Sequence, residues 1–95
     1  MTKSKFTHFD AADHIKSLED AAHFLDAVLV DGDASEIADA LGVVARSQGM
    51  AAIAEQSGLS RETLYRTLSE AGNPRLETLI GILRAMGLRL SVAAA

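Results

Sequence analysis

The sequence contains no cysteine, a single proline and few aromatic residues, which make up 4% of its 95 positions. Without cysteine, the chain can form neither a disulfide framework nor a thiolate metal site, and nothing suggests an oxidising compartment. A chain with one proline and many Ala and Leu residues favours helices that pack through aliphatic side chains. The composition therefore predicts an all-α fold.

Long apolar runs are also missing. No stretch approaches the roughly 18 apolar residues that a membrane span needs. The amino-terminal MTKSKFTHFD is polar, unlike a signal peptide. We therefore expect a cytoplasmic protein without a membrane partner, and a length of 95 residues suits one domain with one core.

Charge is unevenly distributed along the chain, whose formal net charge is -4. Residues 1–48 carry nine Asp or Glu against four Lys or Arg, a balance of -5. Residues 49–95 carry five Arg against four Glu, a balance of +1. An acidic front half followed by a near-neutral half whose cations are all arginine allows one local phosphate-facing surface. The acidic pI weakens a nucleic-acid-binding interpretation without removing it.

Two amphipathic helices are predicted in the front half. Ser17, with Asp20 three positions later, resembles a capping box, and apolar residues then recur at helical spacing up to the turn VDGD. Asp33 and Glu36 repeat the capping arrangement before a second helix that should end near Gly49.

Glycine and proline divide the back half. A short helix, MAAIAEQS, should stop at Gly58, and Ser60 should cap a further helix whose end is marked by Gly72. Asn73 and Pro74 form a start signal for the last helix, because proline suits the first helical position. The LRLSV that follows alternates apolar and polar residues, as a short half-buried strand would.

These elements predict about five helices in a single domain over residues 17–95, after a flexible leader at 1–16. An isolated strand would leave its backbone donors unmet. We therefore expect segment 88–95 to pair with its copy in a homodimer. Such two-fold symmetry would place recognition helices about one DNA turn, or roughly 34 Å, apart.

The segment around Gly58 has the pattern of a helix-turn-helix over residues 50–68. Two helices joined by about three residues cross steeply only if the turn allows positive φ and the facing surfaces approach closely. Gly58 meets the first requirement and Ala54 the second, while Leu59 and Leu64 fill the space between the helices.

The outward face of the second helix of this pair carries residue types that read DNA. Arg pairs with guanine, Glu accepts from cytosine N4, and a Thr methyl contacts the thymine methyl. Arg61, Glu62 and Thr63 are the first choices because base reading usually comes from the start of such a helix. Arg66 lies one turn later, and Tyr65 can reach a phosphate.

Two helix starts, at Met50 and at Asn73 to Arg75, offer backbone N–H groups as further phosphate sites. The predicted DNA-binding residues are therefore Ser60, Arg61, Glu62, Thr63, Tyr65, Arg66, Asn73 and Arg75. In the alternative interpretation, Arg61 and Arg66 form surface pairs with Glu62, Glu70 or other acids, and Asn73 is a helix cap first.

Other chemistry finds little support in the sequence. His8, His14 and His23 lack the i, i+3 or i, i+4 spacing of metal ligands on one helix face. No histidine or carboxylate in the second half is placed to activate a serine, and no Gly-rich phosphate loop occurs. We expect no metal, no cofactor and no enzymatic activity.

Two family resemblances add to these inferences. GMAAIAEQSGLSRETLYRTLSEAGNPRLETLIGILRAMGLRL resembles the XRE/Cro-type (lambda repressor-like) domain, in which an Asn-Pro loop, an L-x-x-L helix and an apolar Gly-Leu segment follow the helix-turn-helix. LSRETLYRTLS, GNPRLETL and the leader FDAADHIKSLEDAAHFLDAVLVDGD together resemble the small HigA-type addiction-module antidote proteins. This second resemblance implies an antitoxin that neutralises a RelE/ParE-like (HigB-type) ribonuclease toxin, dimerises and represses its own operon.

Several alternatives stay open at this point. The chain is an antitoxin and autorepressor, a stand-alone XRE-type transcriptional regulator without a toxin, or an adaptor whose helix-turn-helix no longer contacts DNA. Thr67 stands where the family usually has an aliphatic residue, which leaves open the helix rotation and the choice between Thr63 and Tyr65 as the groove residue. The acidic helix over residues 18–30 is either core plus solvated charge or a docking surface for a basic toxin.

Overall fold

The computed structural model describes residues 14–69 and 72–95, which form five α-helices and no β-strand. In chain order they are α1 (Leu18–Asp31), α2 (Ala34–Gln48), α3 (Met50–Ser57), α4 (Arg61–Thr67) and α5 (Leu76–Ala85). The prediction of an all-α chain is confirmed over these residues. The predicted leader, 1–16, falls largely on residues 1–13, which lie outside the described range. None of the helices in that range has the length and apolarity needed to cross a membrane.

Side-chain caps start the first two helices. The Ser17 hydroxyl accepts a hydrogen bond from the Asp20 N–H at 3.0 Å, as predicted, but the Asp20 carboxylate accepts from the N–H of Lys16. At α2 the predicted capping box is complete: the Asp33 carboxylate accepts from the Glu36 N–H at 2.8 Å, and the Glu36 carboxylate accepts from the Asp33 N–H at 2.9 Å. The bond from the Glu36 N–H, with another from the Ser35 hydroxyl, holds the pKa of Asp33 below its ordinary value.

Helix α2 is the centre of the fold. Every residue from Ala38 to Ala45 is buried, and a helix that is buried on all sides lies inside a fold rather than on its surface. Helix α1 packs against α2, α3 packs against α2, and α3 also contacts α4 and α5. The core combines buried apolar side chains of all five helices and the turns after α4 and α5: Ala21, Leu25, Ala40, Leu41, Val44, Ala45, Met50, Ile53, Ala54, Leu64, Leu68, Ile82, Leu83 and Met86.

A glycine in α2 allows the end of α4 to approach the central helix closely. A Cβ at position 42 would lie 2.7 Å from the carbonyl oxygen of Leu68, a distance that real Cβ atoms essentially never show. Leu68 is itself buried, with 4% of its surface exposed. Gly42 therefore sets how near the α4 end sits to α2.

Helix α4 is shorter than predicted. The expected end at Gly72 is wrong, because α4 ends at Thr67 and Leu68 is its C-cap. The Ser69 hydroxyl donates to the carbonyl of Arg66 at 3.0 Å, and the Gly72 N–H donates to the carbonyl of Ser69 at 2.7 Å. The helical hydrogen-bond ladder of α4 therefore ends at its C-cap, Leu68.

Helix α5 starts two residues later than the Asn-Pro signal suggests. The helix begins at Leu76, and Arg75 is the N-cap residue with φ of -65° and ψ of 157°. Asn73 is therefore not the helix cap, and this part of the prediction is wrong. The extended backbone at Arg75 interrupts the helical path, so Pro74 cannot occupy the first helical position.

The chain after α5 forms no strand, contrary to the prediction for LRLSV. Gly87, with φ of 86°, reverses the chain, and the N–H groups of Gly87 and Leu88 donate to the carbonyls of Arg84 and Leu83 in a Schellman motif. This turn packs Leu88 against the core, while Val92 is 97% exposed. A strand needs a neighbour for its backbone bonds, and the described residues of one chain offer none.

Two glycine substitutions test the approach of α4 to α2. We expect Gly42→Ala to destabilise the protein by about 1 to 3 kcal/mol, because the methyl group collides with the Leu68 backbone. Gly81→Ala is the control: it lies inside α5, and a Cβ there meets nothing within 4 Å, so the gain in helix propensity should stabilise by roughly 0.5 to 1 kcal/mol. Urea unfolding followed by circular dichroism measures both. A stabilised Gly42→Ala protein would contradict the close approach.

Candidate nucleic-acid interface

The turn between α3 and α4 depends on the backbone conformation of Gly58. This residue has φ of 80° and ψ of 6°, the left-handed conformation predicted for it, and its N–H donates to the carbonyl of Ala54 at 3.1 Å. A Cβ at this position would meet nothing within 4 Å. The glycine is therefore required by the positive φ and not by lack of space.

Ser60 starts α4 as its N-cap. Its hydroxyl oxygen accepts from the Thr63 N–H at 3.0 Å and donates to the Thr63 hydroxyl at 2.9 Å. The predicted cap is confirmed, and it satisfies one of the free N–H groups of the first turn. Because the Thr63 hydroxyl is engaged here and its side chain is half-buried, Thr63 lies at the flank of the helix.

Leucines one turn apart hold α4 against the core. Leu64 is completely buried and Leu68 is 4% exposed, while Leu59 in the turn is half-buried against the same cluster. Burying a leucine completely stabilises a fold by roughly 1.5 to 3 kcal/mol. The opposite face of α4 is therefore directed to solvent, and four side chains on it are exposed: Arg61, Glu62, Tyr65 and Arg66.

An arginine and a tyrosine are in contact on this exposed face. The Arg61 guanidinium lies over the ring of Tyr65 at 5.9 Å from the ring centre, and Tyr65 is 48% exposed. A cation–π contact at an exposed site contributes about 0.5 to 1 kcal/mol. It gives both side chains a shared orientation on the surface. The pair is not among the predictions, although its i, i+4 spacing is visible in the sequence.

The surface-pair alternative for the two arginines gains no support from the geometry. Among the residues that the structure describes, no carboxylate is paired with Arg61 or Arg66, and Glu70, one of the named candidates, lies outside those residues. Of the two candidates for the groove position, Tyr65 has the more open side chain and Thr63 the more enclosed one. Thr67 is half-buried, which directs it away from the exposed arginine face.

The two remaining predicted DNA-binding residues lie before α5. Asn73 and Arg75 are both exposed. No side chain caps α5 at Arg75, and none caps α3 at Gly49. The first-turn N–H groups of these two helices therefore have no side-chain acceptor at the cap, and they carry the positive end of the helix dipole.

The geometry contains no arrangement typical of a metal centre within residues 14–69 and 72–95, where no three His, Asp or Glu side chains come together. Of the three histidines considered as metal ligands, His8 lies outside the described residues. The exposed α4 face carries two guanidinium groups, one carboxylate and one aromatic ring.

Ser60 and Thr63 supply a test of the α4 start. Ser60→Ala should destabilise the protein by about 1 kcal/mol because the Thr63 N–H loses its acceptor. Thr63→Val is the matched control: it removes the side-chain hydroxyl and keeps that backbone bond, so the loss should be smaller. Chemical unfolding curves of both variants decide the point. Equal losses would show that the hydroxyl pair, and not the backbone cap, supports the helix.

Comparison with known proteins places the chain in a family. Residues 5–94 match a family model described as "Probable addiction module antidote protein". The chain is also similar to an uncharacterized protein of Haemophilus influenzae, with 38% identity over 84 residues that cover 88% of this chain and 87% of that protein. No solved structure matches the chain significantly. The match over nearly the whole length shows that the chain belongs to the family of probable addiction module antidote proteins.

Proposed function

We propose that the chain is the antitoxin of a type II toxin–antitoxin system, which neutralises a RelE/ParE-like (HigB-type) toxin and represses its own operon by binding operator DNA. An antidote implies a toxin partner of some kind, so membership of the family supports the first half of the proposal. The second half is carried by the exposed cationic face of α4 directly behind the Gly58 turn.

In this proposal, α3 and α4 are the two helices of an XRE/Cro-type helix-turn-helix over residues 50–68, and α4 enters the major groove. The inward leucines leave Arg61 and Arg66 exposed, five residues apart on α4, and an Arg side chain can bond guanine O6 and N7 together. Glu62 lies beside them as an acceptor for cytosine N4. The protein's acidic net charge does not oppose this role, because the acids are concentrated in the front half.

Phosphate contacts would orient the helix on the duplex. Tyr65 is exposed on the same face and has a hydroxyl that suits a phosphate oxygen. The starts of α3 and α5 have no side-chain caps, so their N–H groups are available to anions. Asn73 and Arg75 lie beside the second of these helix starts and would add polar and cationic contacts.

We further propose that the protein acts in the cytoplasm as a homodimer. The chain beyond Leu88 carries exposed apolar side chains, Leu90 at 44% and Val92 at 97%, with no strand beside it among the described residues. Pairing with the same segment of a second copy would satisfy its backbone groups. Two copies related by a two-fold axis match an operator with two half-sites.

Arginine substitutions test the DNA-binding half of the proposal. Arg61→Ala or Arg66→Ala should weaken operator binding by about 1 to 3 kcal/mol if the side chain reads a base, with the fold intact. Arg84→Ala removes the same charge from the exposed last turn of α5 and should leave binding nearly unchanged. Gel shifts with DNA from upstream of the protein's own gene measure the difference.

Salt dependence separates true DNA binding from an adaptor role. A phosphate-contacting protein loses affinity steeply as salt rises, and removing one phosphate contact reduces the slope by about one. Folded Arg61→Ala and Arg66→Ala proteins that shift operator DNA as well as the parent would remove both arginines from the interface. No binding of operator DNA even at low salt would favour the adaptor.

Co-expression with the neighbouring gene tests the toxin half. We expect the product of that gene to be small and basic, to arrest growth when expressed alone, and to co-purify with this chain without arresting growth when both are present. Gel shifts with and without that product report its effect on repression. Operator binding without any co-purifying toxic product would favour the stand-alone XRE-type regulator.

A further inference from the structure

A groove on the face formed by α1, α2 and α5 has no role in the proposed DNA contact. The groove has a volume of about 290 Å³ and is walled by Leu25 and Leu29 of α1, Ile37 of α2 and Leu79 and Leu83 of α5. The chain after α5 closes one side with Leu88 to Ser91. Its lining is therefore mainly aliphatic and comes from parts of the chain distant in sequence.

The mouth of the groove exposes apolar surface. Leu29 is 47% exposed although it lines the groove. A volume near 290 Å³ is at the lower limit of small-molecule sites, which run from roughly 300 to 1,000 Å³. A short row of inserted apolar side chains from another protein suits such an open, shallow groove better than an enclosed ligand does.

The charge around the groove selects the kind of partner. Residues 14–37 carry six carboxylates and one lysine: Glu19, Asp20, Asp26, Asp31, Asp33 and Glu36 against Lys16. Asp26 and Arg89 both line the groove itself, so the excess negative charge comes from the other carboxylates of α1 and the start of α2. A second copy of this chain laid across the groove would bring the same acidic helix toward its twin, and like charges facing each other oppose association. A basic partner is complementary to the groove and its surroundings.

We propose that this groove docks an amphipathic segment of a basic protein, with apolar side chains in the groove and Lys or Arg against the α1 carboxylates. Helix-in-groove binding has this pattern, in which an apolar face is buried between polar flanks. That the basic protein is the toxin rests on the proposed antidote function.

The position of the groove has a consequence for regulation. The lining residues come from α1, α2, α5 and the chain after α5, and none comes from residues 50–69. A partner segment bound there leaves the exposed arginine face of α4 uncovered. The docked segment and the DNA would therefore use separate surfaces of the protein.

A synthetic peptide tests the groove without a toxin or DNA. The probe is a fluorescently labelled 18-residue helix-forming peptide with leucines along one face and lysines on the others, titrated with the full chain. Two control peptides share its length: one scrambles the same residues, and one replaces lysine with glutamate. We expect the amphipathic basic peptide to bind about tenfold or more tighter than either control, because it alone combines apolar fit and charge complementarity.

Adjacent residues provide matched variants of the protein. Leu29→Ser should weaken peptide binding roughly five- to tenfold, as expected when one aliphatic side chain is removed from an interface. Val30→Ser changes the next residue, which is 78% exposed and outside the groove lining, and should leave binding unchanged. Asp26→Asn should reduce the affinity and its salt dependence, whereas Glu55→Gln on α3 should not.

Three results would overturn the proposal. The first is equal binding of the three peptides, and the second is unchanged binding by Leu29→Ser. The third is a dimer in analytical ultracentrifugation that Leu29→Ser dissociates and Val30→Ser does not, since the groove would then belong to a second copy.

A positive peptide result beside failed operator and toxin assays would remove the proposed function and retain the groove. Successful operator and toxin assays beside a negative peptide result would retain the proposed function and remove the groove as a docking site.

Discussion

The contact of α4 with the central helix is the constraint on which the functional surface depends. Leu64 and Leu68 are buried one turn apart, and the backbone at Leu68 reaches so near to α2 that only a glycine fits at position 42. These leucines occupy the inner face of α4, and the side chains on its opposite face are exposed. The exposure of Arg61 and Arg66 is therefore a consequence of core packing and not a separate feature of the surface.

The fold also separates two kinds of charge. The acidic front half of the chain forms α1 and the start of α2, while the exposed arginines Arg61 and Arg66 lie on α4; Arg89, after α5, lines the groove together with Asp26. Helix α2 is buried between them and contributes to the core beneath both surfaces. The two proposed partners, an acidic nucleic acid and a basic protein, would require opposite charges on the surfaces that bind them.

Features controlled by near neighbours were predictable from the sequence. The caps at Ser17, Asp33 and Ser60 and the left-handed glycine at position 58 all depend on hydrogen bonds or dihedral preferences within about four residues. The end of α4 and the start of α5 were predicted wrongly because they depend on contacts beyond near neighbours. Ser69 ended α4 early and the extended Arg75 delayed α5, because the chain there turns to bring α5 onto α3, and periodicity carries no information about that path.

The sequence by itself determined which segments are helical, where most of them begin, and which residues of α4 are apolar or cationic. It also determined the uneven charge of the two halves. Only the tertiary structure decided that the chain after α5 folds back at Gly87 instead of extending as a strand, and that leucines from α1, α2 and α5 line one groove. The physical reason is the separation along the chain of the residues that interact. Helix periodicity and capping depend on residues within about one turn, whereas a groove forms only when burial of a common core brings together residues tens of positions apart.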